Sequence, residues 1–186
     1  MSVRASVFAS DLALRQTGGK RRTLGGWLHS VAHAIWLGGL VAIGAFVAPN
    51  VALVIHHSPE FIGNKPLQNL ILTNVIGNSF RTFNIACYVC GICMILGDLL
   101  QSAAAEPGYR HFTYTRLFFA IILLSSAVYL GYMLFPQMDS AKMHLQMHRF
   151  DILHSRYELI SELQLIPLLI IPALTARRDR ALDSRY

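Results

Sequence analysis

Apolar positions along the chain gather into four long runs separated by short polar punctuation, at residues 24–55, 82–100, 113–135 and 151–174. Each is close to or above the roughly 20 residues that a helix needs to cross a hydrocarbon core of about 30 Å. Backbone polar groups in lipid must be satisfied within the segment, so the runs predict an all-α, polytopic membrane protein built as a four-transmembrane-helix antiparallel bundle. The first run carries Gly38, Gly39 and Gly44, which would let a neighbouring helix approach, and Pro49, which would bend its outer part. Residues 66–80, interrupted by Gln68, Asn69, Asn74 and Asn78, read as an interfacial lead-in to the second run, with Arg81 at the outer boundary. Glu106-Pro107-Gly108 marks the loop to the third run, Pro136 closes that run, and Pro167 and Pro172 should distort the fourth.

Composition supports this reading and narrows the organisation. Hydrophobic residues make up 54% of the 186 positions and charged residues only 14%, which suits one membrane domain (24–176) between an N-terminal cytoplasmic segment (1–23) and a basic cytoplasmic tail (177–186). The N-terminal segment is weakly amphipathic and is broken at Gly18-Gly19, so it should lie on the inner surface or be disordered. The run after Lys20-Arg21-Arg22 is far longer than that of a signal peptide and reads as a retained first span. The net charge of +6 does not imply nucleic acid, because the basic residues flank the apolar runs instead of forming a patch. Most Lys and Arg residues, Arg116 among them, fall on the side that holds both termini, which is therefore expected to be cytoplasmic, in a plasma (inner) membrane. Cys87, Cys90 and Cys93 lie within one apolar run and make no disulfide framework.

Several polar constellations interrupt the runs. At about 100° per residue, His29, His33, Trp36 and Leu40 share one face of the first helix. The two imidazoles suit a metal or haem site, or else hydrogen bonding within the bundle, with Asp98 at a similar depth on the second helix. Asp151, His154, Glu158, Ser161 and Glu162 form a polar stripe on the fourth helix, either a proton or ion site or an interhelical seam, and Arg81 or a bound cation would balance its charge. Cys87, Cys90 and Met94 line one face of the second helix as soft copper(I) ligands or a packing seam. In the outer connection, Met143 with Met147 and His144 with His148 pair at i, i+4, a donor set that favours copper or an interfacial segment dipping into head groups. Helical rise leaves His33 and His154 on the order of 10 to 15 Å apart in depth, too far to share one haem iron without a helix offset. The motifs of soluble enzymes, including nucleophile elbows, phosphate loops and zincin signatures, do not occur.

The segments running Leu28-His29-Ser30-Val31-Ala32-His33-Ala34-Ile35-Trp36-Leu37-Gly38-Gly39, Phe46-Val47-Ala48-Pro49 and Phe150-Asp151-Ile152-Leu153-His154 resemble a four-helix membrane family of unknown function that includes transmembrane protein 205, within the copper-resistance protein D-like group. The likeness covers most of the chain beyond residue 24, and His29 or His33, Trp36, Gly38, Gly39 and His154 match its pattern. Tyr157 and Ser161 stand where that family has Ser and Asn. The layout is also similar to that of a membrane protoporphyrinogen oxidase, with Glu162 and Pro167 as loose counterparts, but its Asn-Glu-x-Pro sequence is missing and the activity is not carried over. The resemblance implies a non-enzymatic integral membrane protein that handles copper or binds a cofactor; ligand softness makes Met143, His144, Met147 and His148 the candidate metal ligands, and His29, His33 and His154 are the candidate cofactor residues. An accessory subunit of a larger membrane complex and a haem-binding oxidoreductase stand as alternatives.

Overall fold

The computed structural model describes residues 2–104 and 110–183; within these, side-chain surroundings are described except at 2–18, 65, 66, 69, 73, 104 and 178–183. The described residues are helical almost throughout and contain no strand. Helix α1 (Ser2–Val41) passes through a π-helical turn (Ala42–Val47) into α2 (Ala48–His57), and α3 (Lys65–Ala104) follows a short turn. Helix α4 (Arg110–Val128) passes through a second π-helical turn (Tyr129–Leu134) into α5 (Phe135–Met143), and α6 (Met147–Leu163) and α7 (Leu165–Asp183) complete the chain. Four stretches are long and apolar enough to cross a membrane: Gly19–His57, Leu70–Ala103, Arg110–Met143 and Met147–Arg177. The four runs in the sequence thus become four long apolar helical stretches.

Their ends differ from expectation for identifiable reasons. The backbone is helical from Ser2 straight through Gly18-Gly19, and residues 66–80 continue into the second stretch as part of α3 instead of forming a separate lead-in. Pro136 does not close the third stretch. Proline lacks an N–H and its ring crowds the carbonyl four residues earlier; here it sits in the first turn of α5, directly after a widened π-helical turn in which the Phe135 N–H reaches back to the Leu130 carbonyl. Pro49 is handled in the same way, with the Ala48 N–H donating to the Ile43 carbonyl. The fourth stretch is interrupted at Gln164, and Pro167 then falls in the first turn of α7, where its missing N–H costs little. Glu106-Pro107-Gly108 and Arg185 lie outside the described residues.

Packing divides into two apolar clusters. Trp36 of α1, Cys87, Cys90 and Met94 of α3, Ala120, Leu123 and Ala127 of α4, and Leu168 and Ile171 of α7 form one. Leu130, Leu134, Met138, Ala141, Leu153 and Tyr157, from the second π-helical turn, α5 and α6, form the other. Cys87, Cys90 and Met94 are thus buried in a packing seam between helices. Large apolar side chains such as Trp27, Phe46, Leu53, Phe118, Tyr132 and Leu169 remain exposed around both clusters.

The backbones of helices α1 and α3 come into close contact at Gly25 and Gly97. A Cβ on either residue would lie 2.6 Å from the carbonyl oxygen of the other, so only hydrogen fits between the two backbones. Of the three first-run glycines singled out above, Gly39 is packed against the Phe83 ring, whereas Gly38 and Gly44 face open space. Gly97→Val should therefore force α1 away from α3 and cost on the order of 1–3 kcal/mol or more. Gly38→Ala should be neutral or stabilising by up to about 1 kcal/mol through helix propensity. Equilibrium unfolding of the two variants in detergent measures the contrast.

Candidate functional site

The glycine contact sets His29 of α1 beside Asp98 of α3. The His29 Nδ1 lies 3.1 Å from Asp98 Oδ1 and 3.4 Å from the Met94 carbonyl oxygen. Both partners only accept, so Nδ1 carries the proton. Arg116 of α4 donates from Nη2 to the same carboxylate oxygen at 2.6 Å. Asp98 is 0%, Arg116 1% and His29 2% exposed, so this is a dry ion pair with an imidazole attached. Buried charges are tolerated when paired and hydrogen-bonded, and the cluster supplies that pairing from three separate helices. His29 Nε2 and Asp98 Oδ2 remain buried without a hydrogen-bond partner among the described residues. Gln101 and Thr113 are buried on the same two helices, α3 and α4.

His33 lies one turn along α1, its ring parallel to that of His29 with centroids 6.4 Å apart. Its Nε2 donates to the carbonyl oxygen of Leu168 at 2.7 Å. That oxygen is the one a regular helix would offer to the N–H of residue 172, and residue 172 is proline. His33 thus satisfies the backbone acceptor that Pro172 strands, which ties α7 to α1. Trp36, one turn further, donates from Nε1 to Gln164 Oε1 at 3.4 Å, and Gln164 Nε2 donates to Ser126 Oγ of α4 at 2.9 Å. The break between α6 and α7 therefore lies on a buried hydrogen-bonded bridge.

The single face of His29, His33 and Trp36 thus becomes a line of cross-helix hydrogen bonds, the bonding alternative in which Asp98 is the partner. One nitrogen of each imidazole is committed to a carboxylate or carbonyl. His154 does not join them. It lies 14 positions before Leu168, about 20 Å along a helix axis, is 46% exposed, and pairs with Glu158 at 3.2 Å. Among the described residues no group of three His, Cys, Asp or Glu side chains is placed to hold a metal, and the histidines offer no converging pair for a haem iron. Arg116, read above as an inner boundary charge, is instead in the core. Thr113, Arg116, Ala120, Leu123 and Ala127 are the buried positions of α4, and this alternation of three and four residues was the available signal that Arg116 faces inward.

The polar stripe of α6 has a different setting. His154, Glu158, Ser161 and Glu162 line one wall of a groove of about 700 Å³, whose other walls come from Leu40, Ala45, Leu72, Phe80 and Phe135 on the first three stretches. Asp151 is exposed and outside the groove. The stripe therefore faces a cavity instead of a packed interior, and Arg81 lines a second cavity in place of pairing with it. Tyr157 of α6 closes the groove floor: Asn84 Nδ2 of α3 donates to the Tyr157 hydroxyl at 3.1 Å, and the Tyr157 ring meets Phe80 edge-on.

The helical pairing of Met143 with Met147 and of His144 with His148 is not realised. Helix α5 ends at Met143, the Gln146 N–H bonds the Ala141 carbonyl, and Leu145 takes a left-handed conformation at φ 55°. This is a Schellman-type stop without its usual glycine. The four side chains are exposed on either side of the turn, and the His144 Nδ1 donates to the Ser140 carbonyl at 2.8 Å.

Comparison of the chain with protein-family models, curated proteins and solved structures gives no match.

Two outcomes follow from the buried cluster. Arg116→Met should destabilise the protein by roughly 3–5 kcal/mol by leaving Asp98 uncompensated, and combining it with Asp98→Leu should recover a large part of that loss. Chemical unfolding of the single and double variants reads both. His33→Leu should cost about 1–3 kcal/mol in the natural background. It should cost clearly less with Pro172→Ala, whose N–H supplies the Leu168 carbonyl, and a double-mutant cycle measures the difference.

Proposed function

We propose that the chain is an integral membrane protein whose four apolar stretches cross the bilayer as an antiparallel bundle with both termini on the cytoplasmic side, and that it binds an amphiphilic organic cation in the groove beside α6. Support for the placement comes from four stretches of sufficient length and apolarity, from exposed Trp, Phe and Leu side chains over both clusters, and from basic residues that bracket the runs. On this placement the buried Asp98–Arg116 pair lies in the inner half and holds the helices in register.

The observation that carries the ligand assignment is the groove itself. Its volume, about 700 Å³, is within the range of small-molecule sites, and its apolar walls face two carboxylates at a level where lipid would otherwise surround them. Glu158 has only a half-exposed His154 as partner, and Glu162 makes no ion pair among the described residues. Carboxylates in that position are costly unless a cation or water meets them. A ligand with an apolar body and one positive charge meets both demands, which supports reading the chain as a ligand-binding membrane bundle.

The test is a titration of the purified protein with tetraphenylphosphonium, with copper(I) and haem b in parallel. Saturable binding of the organic cation is expected, weakened about tenfold or more by Glu158→Gln/Glu162→Gln. Binding that ignores this double substitution would overturn the assignment. Stoichiometric copper lost on replacing Met143, His144, Met147 and His148, or a Soret band on adding haem, would move the reading to metal or haem binding.

A further inference from the structure

The groove has a neighbour. A second cavity of about 550 Å³ is lined by Arg81, Tyr88, Tyr132 and Ser140, among others, and it shares Phe135 and Asp139 with the groove. The partition between them is thin. Tyr157 lines the groove, Asn84 lines the second cavity, and the two are hydrogen-bonded to each other at 3.1 Å. The Phe135 ring lies against Tyr157, with centroids 6.5 Å apart. Phe135 is also the first residue beyond the second π-helical turn, a geometry that recurs beside functional sites.

The groove is lined by acidic side chains, and the second cavity by one guanidinium and one carboxylate. Glu158 and Glu162 face the groove, Asp139 sits on the shared wall, and Arg81 lies in the second cavity with no carboxylate bound to it among the described residues. An unpaired guanidinium within an apolar helical stretch is as costly as an unpaired carboxylate. The stacked rings of Tyr88 and Tyr132, 5.5 Å between centroids, give the second cavity an aromatic wall with hydroxyl donors beside the guanidinium. Guanidinium and hydroxyl donors together suit phosphate oxygens.

We propose that the two cavities are subsites of one site for a zwitterionic amphiphile of the phospholipid headgroup type. Its apolar part lies along the groove, its phosphate meets Arg81, and its ammonium, which lies beyond the phosphate, meets Asp139 on the wall that both cavities share. This rests on the groove reading above and adds the anionic subsite. One neutral ligand thereby brings an anion to Arg81 and a cation to Asp139.

The experiment uses the full chain in a mild non-ionic detergent, with binding read by native mass spectrometry. Four probes separate the contributions: lysophosphatidylethanolamine, lysophosphatidylglycerol, tetraphenylphosphonium and free phosphoethanolamine. The zwitterionic lysolipid should bind about tenfold more tightly than tetraphenylphosphonium, and more tightly than either the anionic lysolipid or the free headgroup. Arg81→Gln should remove that advantage and leave tetraphenylphosphonium binding unchanged, and Arg81→Lys should retain part of it. Because the cation probe reports a folded groove, loss of lysolipid binding in Arg81→Gln cannot be ascribed to unfolding. Lysolipid binding that is indifferent to Arg81→Gln, matched by the anionic lysolipid, or matched by free phosphoethanolamine overturns the inference. If tetraphenylphosphonium binds and the zwitterion gains nothing over it, the second subsite fails while the groove reading stands. If neither binds, both fail.

Discussion

The contact of α1 with α3 at Gly25 and Gly97 is the constraint on which the rest of the arrangement depends. Two helix backbones at that separation leave no room for water between them, and the carboxylate of Asp98, next to Gly97 in the chain, is drawn into the dry space that results. Once there it needs compensation, which Arg116 supplies from α4 and His29 from α1. Three helices are thereby fixed in rotation and in axial register by one carboxylate. The apolar cluster above it, centred on Trp36, Met94, Leu123 and Leu168, packs on a frame already determined. A buried ion pair contributes little net stability against an apolar alternative; its effect here is to make other registers of the same apolar helices expensive.

The fourth stretch is attached by a different principle. Its prolines free backbone groups, and side chains from elsewhere satisfy them: His33 caps the Leu168 carbonyl, and Gln164 at the helix break is held by Trp36 and Ser126. Irregular backbone within an apolar protein is viable only where such partners exist. The break separates α7 from α6, and α6 is the element whose acidic face opens on the groove.

Much of this was legible in the sequence where it depends on helical period alone. The apolar runs, the common face of His29, His33 and Trp36, and the stripe on α6 all follow from 3.6 residues per turn, and depth alone suggested Asp98 as a partner for histidine. What could not be read depends on tertiary context. Arg116 sits three residues into an apolar run, where a basic residue ordinarily marks a boundary, and only its packing partners turn it inward. Met143 to His148 looks like one helix face because Leu145 is not a glycine and gives no sign of the left-handed stop. Pro136 looks terminal because the accommodating π-helical turn precedes it and has no composition of its own. Each such turn also adds an unannounced rotation, so a helical wheel drawn through residues 42–47 or 129–134 misplaces every side chain beyond it.

The Asp98–Arg116 pair bears on how such a chain could enter a bilayer. Its members are 18 residues apart, on the facing ends of α3 and α4, so the connection joining them is too short for one helix to settle long before the other. A lone α3 would bring the Asp98 carboxylate to the lipid without its partner and a lone α4 the Arg116 guanidinium, each opposed by its desolvation cost, whereas in the hairpin the two neutralise each other. On the membrane placement proposed above, integration is thus favoured as a pair, with the hairpin docking on α1 at His29 and Gly25. The unit of insertion is then two helices.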